Sequence, residues 1–117
     1  MVLTHRNLEG IDLVALNGRL VMADTPQVRQ QLLDRVAQGN GKLILDLGQV
    51  GFMDSSGLSV LVSVFKAARL KQGDVVLLNL TPAVRSLIEL TRLQQVFAIF
   101  DDETAAVARL RQADAAG

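Results

Sequence analysis

The sequence predicts a single α/β domain with a mixed, mostly parallel sheet. Apolar runs of strand length alternate along the chain with stretches whose apolar residues recur every three or four positions. Leu43-Ile44-Leu45-Asp46-Leu47 and Val75–Leu80 are apolar almost throughout, as strands covered on both faces are, so the second of them belongs inside the sheet. The chain has 117 residues, half of them hydrophobic, which suffices for one core. Phe52, Phe65, Phe97 and Phe100 are the only aromatic residues, so that core is built from Leu, Val, Ile and Ala.

Val2–Asn7 and Ile11–Asn17 read as a hairpin around Leu8-Glu9-Gly10, where Gly10 suits a positive φ. Asp24-Thr25-Pro26 opens a helix with a capping residue and a proline in the first turn, where no N–H is needed. Val28, Leu32, Leu33 and Val36 form its buried stripe, and Gly39-Asn40-Gly41 stops it. Lys42–Leu47 is the third strand. After a short Gly/Val loop a helix runs from Ser56 to about Gln72, with Leu58, Leu61, Val62 and Phe65 inward and Gly73 at its end. Val75–Leu80 is the fourth strand. Thr81-Pro82 starts a shorter helix with Val84, Leu87, Ile88 and Leu90 inward. Val96–Phe100 is a short last strand. Asp101-Asp102-Glu103-Thr104 caps a final helix with the stripe Ala106, Val107 and Leu110, and Arg109 and Arg111 near its end suit the helix dipole. The order is β-β-α-β-α-β-α-β-α, one domain over residues 1–117, with 113–117 expected as a fraying end.

Chemistry concentrates where the third strand passes into its helix, at Phe52-Met53-Asp54-Ser55-Ser56-Gly57-Leu58. A helix start offers free backbone N–H groups. Asp54, Ser55 and Ser56 are each good N-caps, and the residues alone leave the choice open. Gly57 gives up as much as ~1 kcal/mol of helix propensity against alanine, which makes sense where another backbone comes close.

Asp54-Ser55-Ser56-Gly57-Leu58 after an apolar strand resembles the signature of the STAS domain, and most closely that of the single-domain bacterial anti-sigma factor antagonists. The likeness continues through Gly18-Arg19-Leu20, Leu45-Asp46-Leu47 and Thr81-Pro82-Ala83-Val84, in the family's order and spacing. The resemblance implies a STAS-type fold and a phosphorylated serine directly after the motif aspartate, which here is Ser55. It implies an anti-sigma factor serine kinase that docks on the unmodified protein and releases its sigma factor, and a serine phosphatase that resets the modified form. The expected docking surface is Asp54, Ser55, Ser56 and Gly57, with Val21 and Met22 as an apolar rim and Asp24 beside them. Family antagonists usually carry acidic residues just after the second strand, whereas this chain reads Gly18-Arg19-Leu20-Val21-Met22, which leaves the partner class open. Single STAS domains also serve as docking subunits of bacterial lipid-transport ATPases, without a phosphorylation cycle, and that is the alternative reading.

The formal net charge is zero and no run of like charge occurs, which argues against an electrostatic nucleic-acid binder. There is no cysteine, hence no disulfide or thiol chemistry. Met1–Leu16 has no signal-peptide apolar stretch, and no apolar run approaches the roughly 20 residues of a membrane span, so a cytoplasmic protein that does not enter the membrane, monomeric when free, is expected. His5, the sole histidine, reads as a strand-edge residue without partners, so no Ser-His-Asp set is expected. Asp101, Asp102 and Glu103 read as a helix cap rather than a metal site, and Gly39-Asn40-Gly41 lacks the lysine of a phosphate loop. Asp46 is similar to the strand-end aspartate of phosphotransfer receiver domains, but the early strands lack the acidic pair that would hold Mg²⁺. No catalytic residue, metal or cofactor is expected.

Overall fold

A computed structural model describes residues 1–116, with side chains through Gln112. Its elements are β1 (Val2–Leu8), β2 (Ile11–Leu20), α1 (Thr25–Gln38), β3 (Lys42–Met53), α2 (Ser55–Leu70), β4 (Asp74–Leu78), α3 (Pro82–Leu90), a 3₁₀ turn (Leu93–Gln95), β5 (Ala98–Phe100) and α4 (Glu103–Ala116). The order is the one read from the sequence. The five strands lie as β1-β2-β3-β4-β5; the first pair is antiparallel and the rest are parallel. β4 is interior as expected, with β3 in the middle of the sheet. The hairpin closes at Leu8↔Ile11 around Glu9-Gly10, both at positive φ, as the right-handed strand twist favours in a two-residue loop.

One face of the sheet packs under α1, α2 and α3; their Val28, Leu32, Val36, Leu58, Leu61, Val64, Val84 and Ile88 join Leu16, Leu45, Leu47 and Leu77 in the larger core. The other face is covered by α4, whose Ala106 and Leu110 meet Ile11, Leu13, Ile44, Val76 and Leu78.

Several boundaries differ from the sequence reading. β2 runs to Leu20 rather than Asn17, and β3 to Met53 rather than Leu47, so the expected Gly/Val loop is strand. The reason is pairing with irregular register. Ala15 faces Asp46 but Asn17 faces Gln49, and Gly18 faces Val50 but Arg19 faces Phe52, so β3 takes an extra residue at each shift, beside Gly48 and Gly51. β4 pairs with β3 only as far as Asp46, so the far ends of β2 and β3 form a two-stranded ribbon beyond the rest of the sheet.

Leu90, read as inward, is 82% exposed, because α3 ends there and its buried side is carried by Val84 and Ile88. Arg109 and Arg111 do not complement the C-terminal dipole: α4 continues to Ala116, and Arg111 instead pairs with Glu9 at 2.8 Å. α2 ends at Leu70, with the left-handed position taken by Gln72 rather than Gly73. Gly73 is needed for a different reason, since a Cβ there would run into the backbone of Gly41. Asp24 occupies the N-cap position of α1 without a side-chain capping bond, its backbone being already helical; the carbonyl of Val21 takes the N–H groups of Asp24 and Thr25 instead. The tail expected to fray, 113–117, lies outside the residues whose side chains are described.

Candidate functional site: the β3–α2 junction

The ribbon formed by β2 and β3 carries the junction outward. Strand alternation turns Leu20 and Met53 into the core and leaves Arg19 and Phe52 outside. Immediately after Met53 the chain enters α2, and Asp54 is the residue that caps it. Its backbone is extended, its Oδ1 accepts from the Gly57 N–H at 3.1 Å and from the Ser56 hydroxyl, and its Oδ2 accepts from the Met22 N–H at 3.2 Å. One carboxylate thus caps α2 and ties down the β2–α1 turn. Its pKa lies below the usual 3.8, chiefly because the Ser56 hydroxyl donates to the charged form. Loss of surrounding water pushes the other way, and the N–H groups of Gly57, Met22 and Ser56 add to the lowering.

Gly57 is buried at the third position of the helix, and a Cβ there would stand 2.5 Å from Met53 Cγ and 2.8 Å from the Leu20 carbonyl oxygen. The close backbone approach inferred from the sequence is therefore that of β2. The same Leu20 carbonyl accepts from the Asp54 N–H at 3.3 Å.

The two serines differ. Ser56 is half-buried and spends its proton on Asp54. Ser55 is exposed at the first helical position, and among the described residues its hydroxyl has no hydrogen-bond partner. Met22 is 72% exposed and Val21 half-buried. Asp24 lies two residues further on, half-buried, with no hydrogen bond from its carboxylate to the motif.

Two residues quoted with the motifs were not expected as part of the docking surface but lie at this end of the molecule. Phe52 is 44% exposed, and the Arg19 guanidinium lies 5.1 Å from the centre of its ring. The signal that would have found them is the period-2 alternation of strands continued to Leu20 and Met53.

Elsewhere, His5 does lie on an edge strand but has partners: Nε2 is 2.6 Å from Asp12 Oδ1, and Arg35 stands beside the ring. Asp46 lies within β3 and accepts from the Gly48 N–H at 3.0 Å. Asp102 caps α4 through the Ala105 N–H. Among the described residues no three His, Cys, Asp or Glu side chains come together as a metal site, and no helix is long and apolar enough to cross a membrane.

The family model described as the STAS domain matches residues 4–106. The chain belongs to the STAS-domain family. It is 32% identical over 113 residues to BtrV of Bordetella bronchiseptica, a protein assigned by name as an anti-sigma factor antagonist, covering 97% of each chain. Among solved structures, an anti-sigma factor antagonist from Thermotoga maritima superposes with a TM-score of 0.88 at 22% identity, over 93% of this chain and 94% of that one. SpoIIAA superposes in its unphosphorylated form with a TM-score of 0.82 at 23% identity, over 95% of this chain and 97% of that one. In its phosphorylated form, from Bacillus, the values are 0.72 and 21%, over 92% and 98%. These structural likenesses establish the STAS fold, with its order and sheet as described above.

Proposed function

We propose that this STAS protein is an anti-sigma factor antagonist, switched by phosphorylation of Ser55. The observation that supports the assignment of the serine is the contrast at the helix start: the Ser55 hydroxyl is exposed and has no hydrogen-bond partner among the described residues, whereas the Ser56 hydroxyl is held by Asp54. The antagonist names of relatives such as BtrV support the reading of the whole protein.

Unmodified, the junction offers Ser55, the Met22 side chain and the Arg19–Phe52 pair around an ordered helix start. An anti-sigma factor serine kinase docks there and gives up its sigma factor, in the cytoplasm. In the kinase, which supplies ATP and Mg²⁺, the Ser55 oxygen attacks the γ-phosphorus; the new O–P bond forms as the bond to ADP breaks, and the hydroxyl proton passes to a base of the kinase. The antagonist itself is a substrate and a ligand, without catalytic residues of its own.

Phosphorylation adds about −1.5 to −2 charges beside Asp54. Folding survives, since a helix N-terminus favours an anion by roughly 0.3–1 kcal/mol. Docking does not: a 100-fold loss of affinity needs about 2.8 kcal/mol, and a charge that must be desolvated against a partner supplies that. A serine phosphatase restores the docking form.

The test is mass spectrometry after treatment with the cognate kinase and ATP, with binding measured for variants. Phosphate is expected on Ser55; Ser55→Ala is expected to stay bound to the kinase, and Ser56→Ala to remain a substrate. Phosphate on Ser56 alone would reverse the roles. Absence of phosphate on either serine, with capture of a transport ATPase from native lysate, would establish the docking-subunit reading instead.

A further inference from the structure

The seam between α1 and α2 holds a cation that no carboxylate among the described residues neutralises. Arg29 of α1 reaches across to Ser59 of α2 with one terminal nitrogen at 3.5 Å, the outer edge of a hydrogen bond. Its Nε is buried and has no partner. A guanidinium offers five N–H donors, and among the described residues no carboxylate forms an ion pair with this one.

The position of this group relative to Ser55 follows from helix geometry. Ser55 and Ser59 are four residues apart in α2, so they share one face, separated by about 6 Å of rise. α1 and α2 each follow a strand of the same parallel run, so both start at the same end of the sheet and run side by side. Side chains on a helix lean toward its N-terminus. Ser55 therefore lies one turn beyond the Arg29 contact at Ser59, on the side toward which the Arg29 side chain leans. The nearby Arg19 guanidinium is engaged over the Phe52 ring, and Asp54 is the negative group of the junction.

We infer that Arg29 is the internal receiver of the phosphate on Ser55: on modification the guanidinium leaves Ser59 and forms a two-pronged contact with the phosphate oxygens. This rests on Ser55 as the modified residue. The exchange replaces a marginal contact to a neutral hydroxyl with a charge-assisted pair whose planar fork matches phosphate. It also gives the orphaned side of the guanidinium an acceptor. The phosphorylated protein is then a defined surface, with the phosphate drawn onto the α1–α2 seam, and Arg29 is no longer open to a partner.

The experiment uses full-length protein synthesised with phosphoserine at position 55, so no kinase is involved and the outcome is separate from whether a kinase selects Ser55. The second ionisation of the phosphate is followed by ³¹P NMR against pH. A free phosphoserine titrates near pH 6; with Arg29 in contact the midpoint is expected to be lower than in Arg29→Gln by about 0.5 or more. Identical titrations in the two proteins would overturn the inference. Should Arg29→Gln not fold, the ¹H–¹⁵N signal of Arg29 Nε in the unsubstituted protein decides: it is expected to shift on phosphorylation, and an unchanged signal overturns the inference.

Discussion

Replacing Gly57 by alanine tests how the motif is built into the fold. On helix propensity alone the change should stabilise by up to about 1 kcal/mol. Packing opposes it. The new methyl would lie 2.5 Å from Met53 Cγ, 2.8 Å from the Leu20 carbonyl oxygen and 3.1 Å from Leu20 Cγ. Met53 can move its side chain, but the Leu20 carbonyl is backbone, and it also receives the Asp54 N–H. Moving it pulls on the turn that Met22 anchors to the same carboxylate. Overpacking of this kind costs typically 1–3 kcal/mol; set against the propensity gain, the net loss is expected to reach about 2 kcal/mol, a fall in Tm of as much as roughly 8 °C for a domain of this size. The assay is denaturant unfolding with Gly51→Ala as the control. Gly51 lies in β3 just before the junction, has no positive φ, and a Cβ there would meet nothing within 4 Å; its replacement is expected to be neutral or to stabilise by about 0.4–1 kcal/mol. If Gly57→Ala proves as stable as Gly51→Ala, the close approach of β2 to the helix start is not what requires glycine, and the account of the junction fails.

Leu61, wholly buried between α2 and the sheet, should cost about 2–5 kcal/mol when cut to alanine, and a loss below about 1 kcal/mol in unfolding curves would mean the helix face is wrong. Lys71 Nζ donates to the carbonyls of Val36, Ala37 and Gly39 at 3.0, 3.0 and 2.6 Å, holding the C-terminus of α1; Lys71→Met should destabilise by about 1–2 kcal/mol in denaturant titration, and an unchanged midpoint would show that water serves as well. Because the Ser56 hydroxyl is the main cause of the low Asp54 pKa, Ser56→Ala should raise the Asp54 midpoint in a carboxyl NMR titration, and no change would refute that role. The sign for stability follows: a depressed folded pKa gives a contribution present above the usual 3.8 and lost as pH falls through the lower folded value, so Asp54→Asn should flatten the stability–pH curve in that acid window.

The order of elements is legible in the residues alone, because strand and helix periods are local and each helix start and stop has its own residues. Val28, Leu32, Leu61 and Ile88 are buried where their spacing placed them. The sequence also located the junction and the need for a small residue at position 57. It could not choose among Asp54, Ser55 and Ser56 as the cap, since each is chemically able. Tertiary structure decided that: extended backbone at Asp54, with the Met22 N–H waiting for its second oxygen, makes the aspartate the cap and leaves one serine free. Strand ends were equally beyond local reading, because Gly48 and Gly51 look like loop until β2 lies beside them and absorbs the shifts in register. The environments of His5, Arg29 and Lys71 likewise depend on partners 7 to 35 residues away. No local pattern records such a contact, which exists only once the helices and the hairpin have been laid on the sheet.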